Sequence, residues 1–181
     1  MKIIRCRNLL EKGTKPFDAK IETILGEIKN AIDSVKWPID GDKFSIYPER
    51  KGNGVTPIKK SCVNFLSKNG WQLECKMYLG SRDKPGPIDA VKYVDNDLFF
   101  AFEWETGNIS STHRALNKMV IGLMENKLIG GVLVLPSRNL YKYLTDRIGN
   151  FSEIEPYFKM YESLHIARGC HGSVENGIIR S

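Results

Sequence analysis

No apolar run in this 181-residue chain approaches the roughly 18 to 20 residues that a bilayer-spanning helix needs. The basic start, Met1 to Arg7, is not followed by the apolar core of a signal peptide. Both absences argue against a membrane role, and a cytoplasmic location is expected. Cysteine is sparse: Cys6, Cys62, Cys75 and Cys170 include no CxxC pair, which speaks against a zinc site and a disulfide framework. The thiols are expected to be reduced and partly buried. Only 3 histidines occur, and Cys170-His171 are adjacent, a poor geometry for one metal. No internal repeat or low-complexity tract is visible, and 41% hydrophobic with 27% charged residues is a globular rather than a disordered mixture. The length fits one domain, residues 1–181, around one core. Negative charge is in the minority, with 21 acidic against 27 basic side chains and a net charge of +6. That balance favours a polyanionic partner, because each neutralised phosphate releases condensed counterions, although many basic proteins bind no nucleic acid.

The chain is read as alternating helices and strands. Ile21, Ile24, Leu25, Ile28, Ala31, Ile32 and Val35 recur at three- and four-residue intervals, which predicts a helix over 18–36. Trp37-Pro38 ends it. A long surface loop is expected over 40–56, then a helix over 57–68 closed by Asn69-Gly70. Strands are expected over 71–79, 88–94 and 98–105, the last two joined by a tight turn at 95–97. A helix over 111–126 follows, with Gly130-Gly131 as punctuation, a buried strand over 132–135, and a helix over 137–148 capped by Ser137. This order implies an α/β protein with a mixed sheet sandwiched between helices.

The chemically informative segment is Pro87-Ile88-Asp89 followed by Glu103-Trp104-Glu105. Alternate strand residues share a face, so Glu103 and Glu105 point the same way. A hairpin at 95–97 would bring Asp89 across from the neighbouring strand. Clustered carboxylates repel one another in an apolar setting and persist mainly when a cation binds them. Oxygen-only ligands favour Mg²⁺, with Mn²⁺ as a substitute, over zinc. Such a centre suits phosphodiester hydrolysis, with Glu105 as a general base and Glu74 as a further carboxylate. The plainer reading of alternating acidic residues is the solvated face of a sheet.

The Pro87-Ile88-Asp89 and Glu103-Trp104-Glu105 pair resembles the signature of the PD-(D/E)XK nucleases. Glutamate in place of the commoner final lysine is similar to the BamHI/BglII-like group of type II restriction endonucleases. The resemblance implies the restriction-endonuclease-like fold and a Mg²⁺-dependent DNA endonuclease. It assigns metal binding to Asp89, Glu103 and Glu74, and catalysis to these with Glu105. Asp146-Arg147 and the run from Thr106 to Arg114 also resemble that group, and they imply DNA contacts from Asn108, Ser110, His113, Asp146 and Arg147. Arginine donates two bonds to guanine and aspartate accepts from cytosine N4, so an Asp-Arg pair is chemically suited to base reading. Other readings stand beside these: a surface ion pair for Asp146-Arg147, and helix capping for Asn108 and Ser110. Lys59, Lys60, Lys118, Arg138 and Lys142 are candidate phosphate contacts.

The resemblance implies cutting of palindromic duplex DNA as a homodimer, with the helices expected over 111–126 and 137–148 as candidates for the interface; ordinary core is the alternative for their apolar faces, and the safer reading for any single residue there. The resemblance further implies a GATC core, four-base 5′ overhangs and a companion methyltransferase acting on the same site. Two other functions are open: a repair or recombination nuclease of the same fold, and a catalytically silent DNA-binding module.

Overall fold

The computed structural model describes residues 1–10, 17–80, 86–95, 97–145, 147–164 and 177–180. A six-stranded mixed sheet divides the molecule. Its strands are β1 (Cys6–Leu10), β2 (Gln72–Cys75), β3 (Ile88–Asp95), β4 (Leu98–Trp104), β5 (Leu128–Val134) and β6 (Gly177–Arg180), in the order β1-β6-β5-β4-β3-β2. Strands β2, β3 and β4 form an antiparallel meander, β4-β5 and β5-β6 are parallel, and β1 closes the edge antiparallel to β6. The change from antiparallel to parallel pairing falls on β4, the strand that carries Glu103.

One face of the sheet is covered by α1 (Asp18–Asp33) and α2 (Val55–Lys68). Ile21, Ile24, Ile28 and Ile32 of α1 join Ile58 and Leu66 of α2 against Phe100, Phe102, Val132 and Val134. Trp71 packs edge-on against both phenylalanines, with ring centroids 6.4 and 6.3 Å away, and its Nε1–H donates to Glu27 Oε2 at 2.7 Å. Each large apolar side chain buried this way contributes about 1.5–3 kcal/mol. The other face carries α3 (Ile109–Met124); of the short helices that follow, α4 (Arg138–Tyr141) packs through Leu140 on the first face, whereas α5 (Phe151–Ile154) and α6 (Phe158–Glu162) pack beside α3. Leu116, Met119 and Leu123 of α3 meet Ala101, Leu128 and Leu133 there, with Phe151, Phe158 and Tyr161 completing the layer.

Two local expectations are corrected. Gly130-Gly131 does not interrupt the chain but lies inside β5, which begins at Leu128. A Cβ on Gly131 would stand 2.8 Å from Met119 Sδ, so glycine there permits the close approach of α3 to the sheet. The reversal is made instead by residues 125–127, with Asn126 at φ 54. The helix expected over 137–148 stops at Tyr141, although Ser137 caps it by accepting from Leu140 N–H at 3.2 Å.

Residues 142–145 leave the helix because they bond elsewhere. Asn53, 0% exposed, accepts through Oδ1 from Trp37 Nε1–H (2.8 Å) and Tyr47 N–H (2.9 Å). Its Nδ2 donates to the carbonyls of Tyr47 and Tyr143, both at 2.9 Å. Its backbone accepts from Thr145 N–H at 2.8 Å and donates to Tyr143 O at 3.0 Å. Buried donors and acceptors left without partners cost about 1–3 kcal/mol. Asn53→Ala is therefore expected to lower the unfolding free energy by about 3 kcal/mol, seen as a lower urea midpoint.

Candidate active site

The carboxylates gather where β3 begins and β4 ends. Asp89, Glu103 and Glu105 line one cavity of about 860 Å³, together with Ser110, Arg114 and Lys118 from α3. The β3-β4 hairpin expected from the sequence is present, with Ala90 opposite Phe102. Trp104 N–H donates to Asp89 Oδ2 at 2.7 Å, and Asp89 N–H lies 3.3 Å from Glu103 Oε2. The two strand ends thereby stitch the two carboxylates together. Glu105 lies one residue beyond β4, and Gly107 N–H donates to its Oε1 at 2.6 Å.

A lysine reaches the site from each helical layer. Lys59 Nζ of α2 sits 2.5 Å from Asp89 Oδ1. Lys118 Nζ of α3 sits 2.8 Å from Glu103 Oε1 and 3.0 Å from the Pro87 carbonyl. Burial nonetheless pushes the Glu103 carboxyl above the ordinary carboxylate range; the Lys118 charge opposes this and the Asp89 charge adds to it. Burial raises Glu105 as well, against hydrogen bonds from the Thr112 side chain and the Gly107 and Thr106 backbone. Cys62, buried behind Asp89, has its thiol pushed up to about 12 by burial and then by the Asp89 charge, against Lys59. It is an inert core thiol.

The remaining sequence expectations divide. Among the described residues no group of three Asp, Glu, His or Cys side chains is placed to hold a metal ion as it stands. The donors that fit one chemically are Asp89 and Glu103, two ionisable oxygen ligands within each other's field at a cleft wall. Glu74 is not brought to them. It lies between the Leu73–Ala90 and Cys75–Ile88 pairs, across from Asp89, but is exposed and outside the cavity lining. Its φ of 50 breaks the pleat that would set opposed side chains on one face.

Ser110 and His113 do line the cavity. His113 Nδ1 is 3.3 Å from Tyr161 Oη, and its ring meets Tyr157 edge-on at 4.5 Å. Asn108 takes the capping position of α3, accepting from Ser110 and Ser111 N–H at 3.0 and 3.3 Å. Arg147 is exposed, whereas Asp146, Cys170, His165 and His171 lie outside the described residues. Sequence reasoning missed Thr112 and the part Lys59 and Lys118 play beside the carboxylates. The spacing Ser111, Arg114, Lys118 put one polar stripe on a helix otherwise read for its apolar face, and that was the available signal.

The sequence is similar to those of known proteins. The family model of restriction endonuclease BamHI matches residues 1–175. The type II restriction enzyme OkrAI of Oceanobacter kriegii is 52% identical over 166 residues, covering 92% of this chain and 84% of that protein. The type II restriction enzyme BamHI of Bacillus amyloliquefaciens is 38% identical over 152 residues, covering 80% of this chain and 71% of that protein. With the mixed sheet, the carboxylate hairpin and these matches together, the chain belongs to the BamHI family of type II restriction endonucleases and is a site-specific DNA endonuclease.

Proposed function

We propose that hydrolysis is Mg²⁺-dependent and takes place in the cleft at the ends of β3 and β4, with Asp89 and Glu103 as the residues that hold the ion. The observation that carries this reading is the shared cavity lined by Asp89, Glu103 and Glu105. When bound, Mg²⁺ supplies charge neutralisation at the scissile phosphate and a water of lowered pKa. Glu105 acts as the general base. Gly107 N–H fixes one of its oxygens, and a burial-raised affinity for protons suits a base working near neutral pH. Arg114 and Lys118 offset the carboxylate charge of the cleft wall and give the phosphate backbone cationic partners there. Ser110 and His113 on the same wall, with Arg147 and Asp146, contact the DNA.

On the same reading two copies of the chain act on a palindrome, one site per strand. The expected product has four-base 5′ overhangs about a GATC core, and a companion methyltransferase protects the host site; these points rest on family analogy. The test is digestion of a sequenced phage genome by purified protein with Mg²⁺, beside an EDTA control. Discrete fragments that vanish in EDTA are expected, and sequencing their ends reads out the site and the overhang. A smear would favour a repair or recombination nuclease. Intact DNA that the protein still binds would favour a silent binding module.

A further inference from the structure

The cleft holds an ion pair that the proposed reaction leaves unexplained. Lys118 Nζ is bonded to Glu103 Oε1 at 2.8 Å and to the Pro87 carbonyl at 3.0 Å. The side chains are only 17% and 11% exposed. Glu103 cannot serve this lysine and a divalent cation on equal terms, because two cations beside one carboxylate repel each other in a partly buried site. Lys118 also borders the open cavity where a phosphate would enter, one helical turn beyond Arg114. A lysine that gives up its carboxylate there can take a phosphate oxygen as replacement anion.

We infer that Lys118 is an exchangeable counter-ion: it neutralises Glu103 in the DNA-free protein, and moves to a backbone phosphate when duplex binds, so that Glu103 is released to the divalent cation. The inference rests on the metal-site reading above. It makes Lys118 a positioning residue and gives it a definite thermodynamic effect. DNA raises the affinity for the cation, and by linkage the cation raises the affinity for DNA by the same factor. The device holds the carboxylates neutralised, and the cation weakly bound, until a substrate phosphate is in place.

The experiment is calorimetric titration of Ca²⁺ at one fixed pH. The protein is titrated alone and on a duplex carrying the site found by fragment-end sequencing. For the wild-type protein the duplex is expected to tighten Ca²⁺ binding by about tenfold or more, within the usual range of coupling. Lys118→Met is expected to bind Ca²⁺ about tenfold tighter without DNA, and to lose a similar factor of the coupling. Arg114→Met, which removes a cleft cation bonded to Ser111 instead of a carboxylate, is expected to leave the DNA-free affinity nearly unchanged. Equal tightening by both variants would reduce the effect to general charge and overturn the exchange. So would an unchanged Lys118→Met affinity, or a wild-type protein in which DNA leaves Ca²⁺ binding unaltered; the last measurement needs no variant to fold. Glu103→Gln separates the two ideas, because wild-type Ca²⁺ binding in that variant would remove the metal site itself.

Discussion

Glu103→Gln is expected to lower single-turnover cleavage by about a thousandfold or more while leaving specific DNA binding intact. Losing a ligand of the proposed ion forfeits several kcal/mol of charge stabilisation in the transition state, and each 1.4 kcal/mol or so is a factor of ten. Binding is spared for a separate reason. Glutamine keeps the shape, and its one carbonyl oxygen can accept from either the Asp89 N–H, 3.3 Å from Oε2, or Lys118 Nζ, 2.8 Å from Oε1. It also removes a negative charge from a wall that phosphates approach, so affinity should hold or rise slightly. The measurement is cleavage under enzyme excess beside a binding titration in EDTA. Near wild-type cleavage would remove Glu103 from the mechanism, and a parallel loss of binding would make its role structural.

Arg147→Ala is expected to weaken binding to the recognition site by about 1–3 kcal/mol, or roughly tenfold to a hundredfold, with a much smaller loss on random duplex. The size follows from the two donors a guanidinium offers to guanine O6 and N7, which no other base presents in that pattern. Arg147 is exposed and so free to reach a groove. Equal losses on both duplexes, with a salt slope reduced by about one, would make it a phosphate contact.

Long periodic elements were legible because their signal is local. The isoleucines of α1 repeat with the helical period, and the alternation after Leu98 set Glu103 and Glu105 on one side of β4. Legibility failed where a distant contact overrides a local rule. Gly130-Gly131 reads as a break, yet it lies inside β5, where a Cβ at 131 would meet the Met119 side chain of α3. Residues 142–145 read as helix until Asn53, ninety positions earlier, captures the Tyr143 carbonyl. Glu74 has the right chemistry and even the right neighbour, but its backbone sits at φ 50 and its side chain is exposed outside the cavity lining. The lysine partners of Asp89 and Glu103 were read as phosphate contacts because sequence spacing does not show that helices on opposite faces of the sheet aim them at the same strand ends.

The buried amide of Asn53 carries an implication for how such an enzyme changes its target. Bonds from residue 53 to the carbonyl of Tyr143 and the amide of Thr145 hold the segment leading to Arg147 against the loop that starts at Trp37. If Arg147 reads a base as proposed, the angle at which it is presented belongs to two stretches of chain, only one of which carries the reading residue. On that reading, drift in the outer loop, selected for nothing to do with DNA, would move the proposed contact and relax or shift the preferred sequence. In a population of these enzymes, new specificities would then be expected to arise from substitutions around 37–53 as well as from the residues that touch the groove.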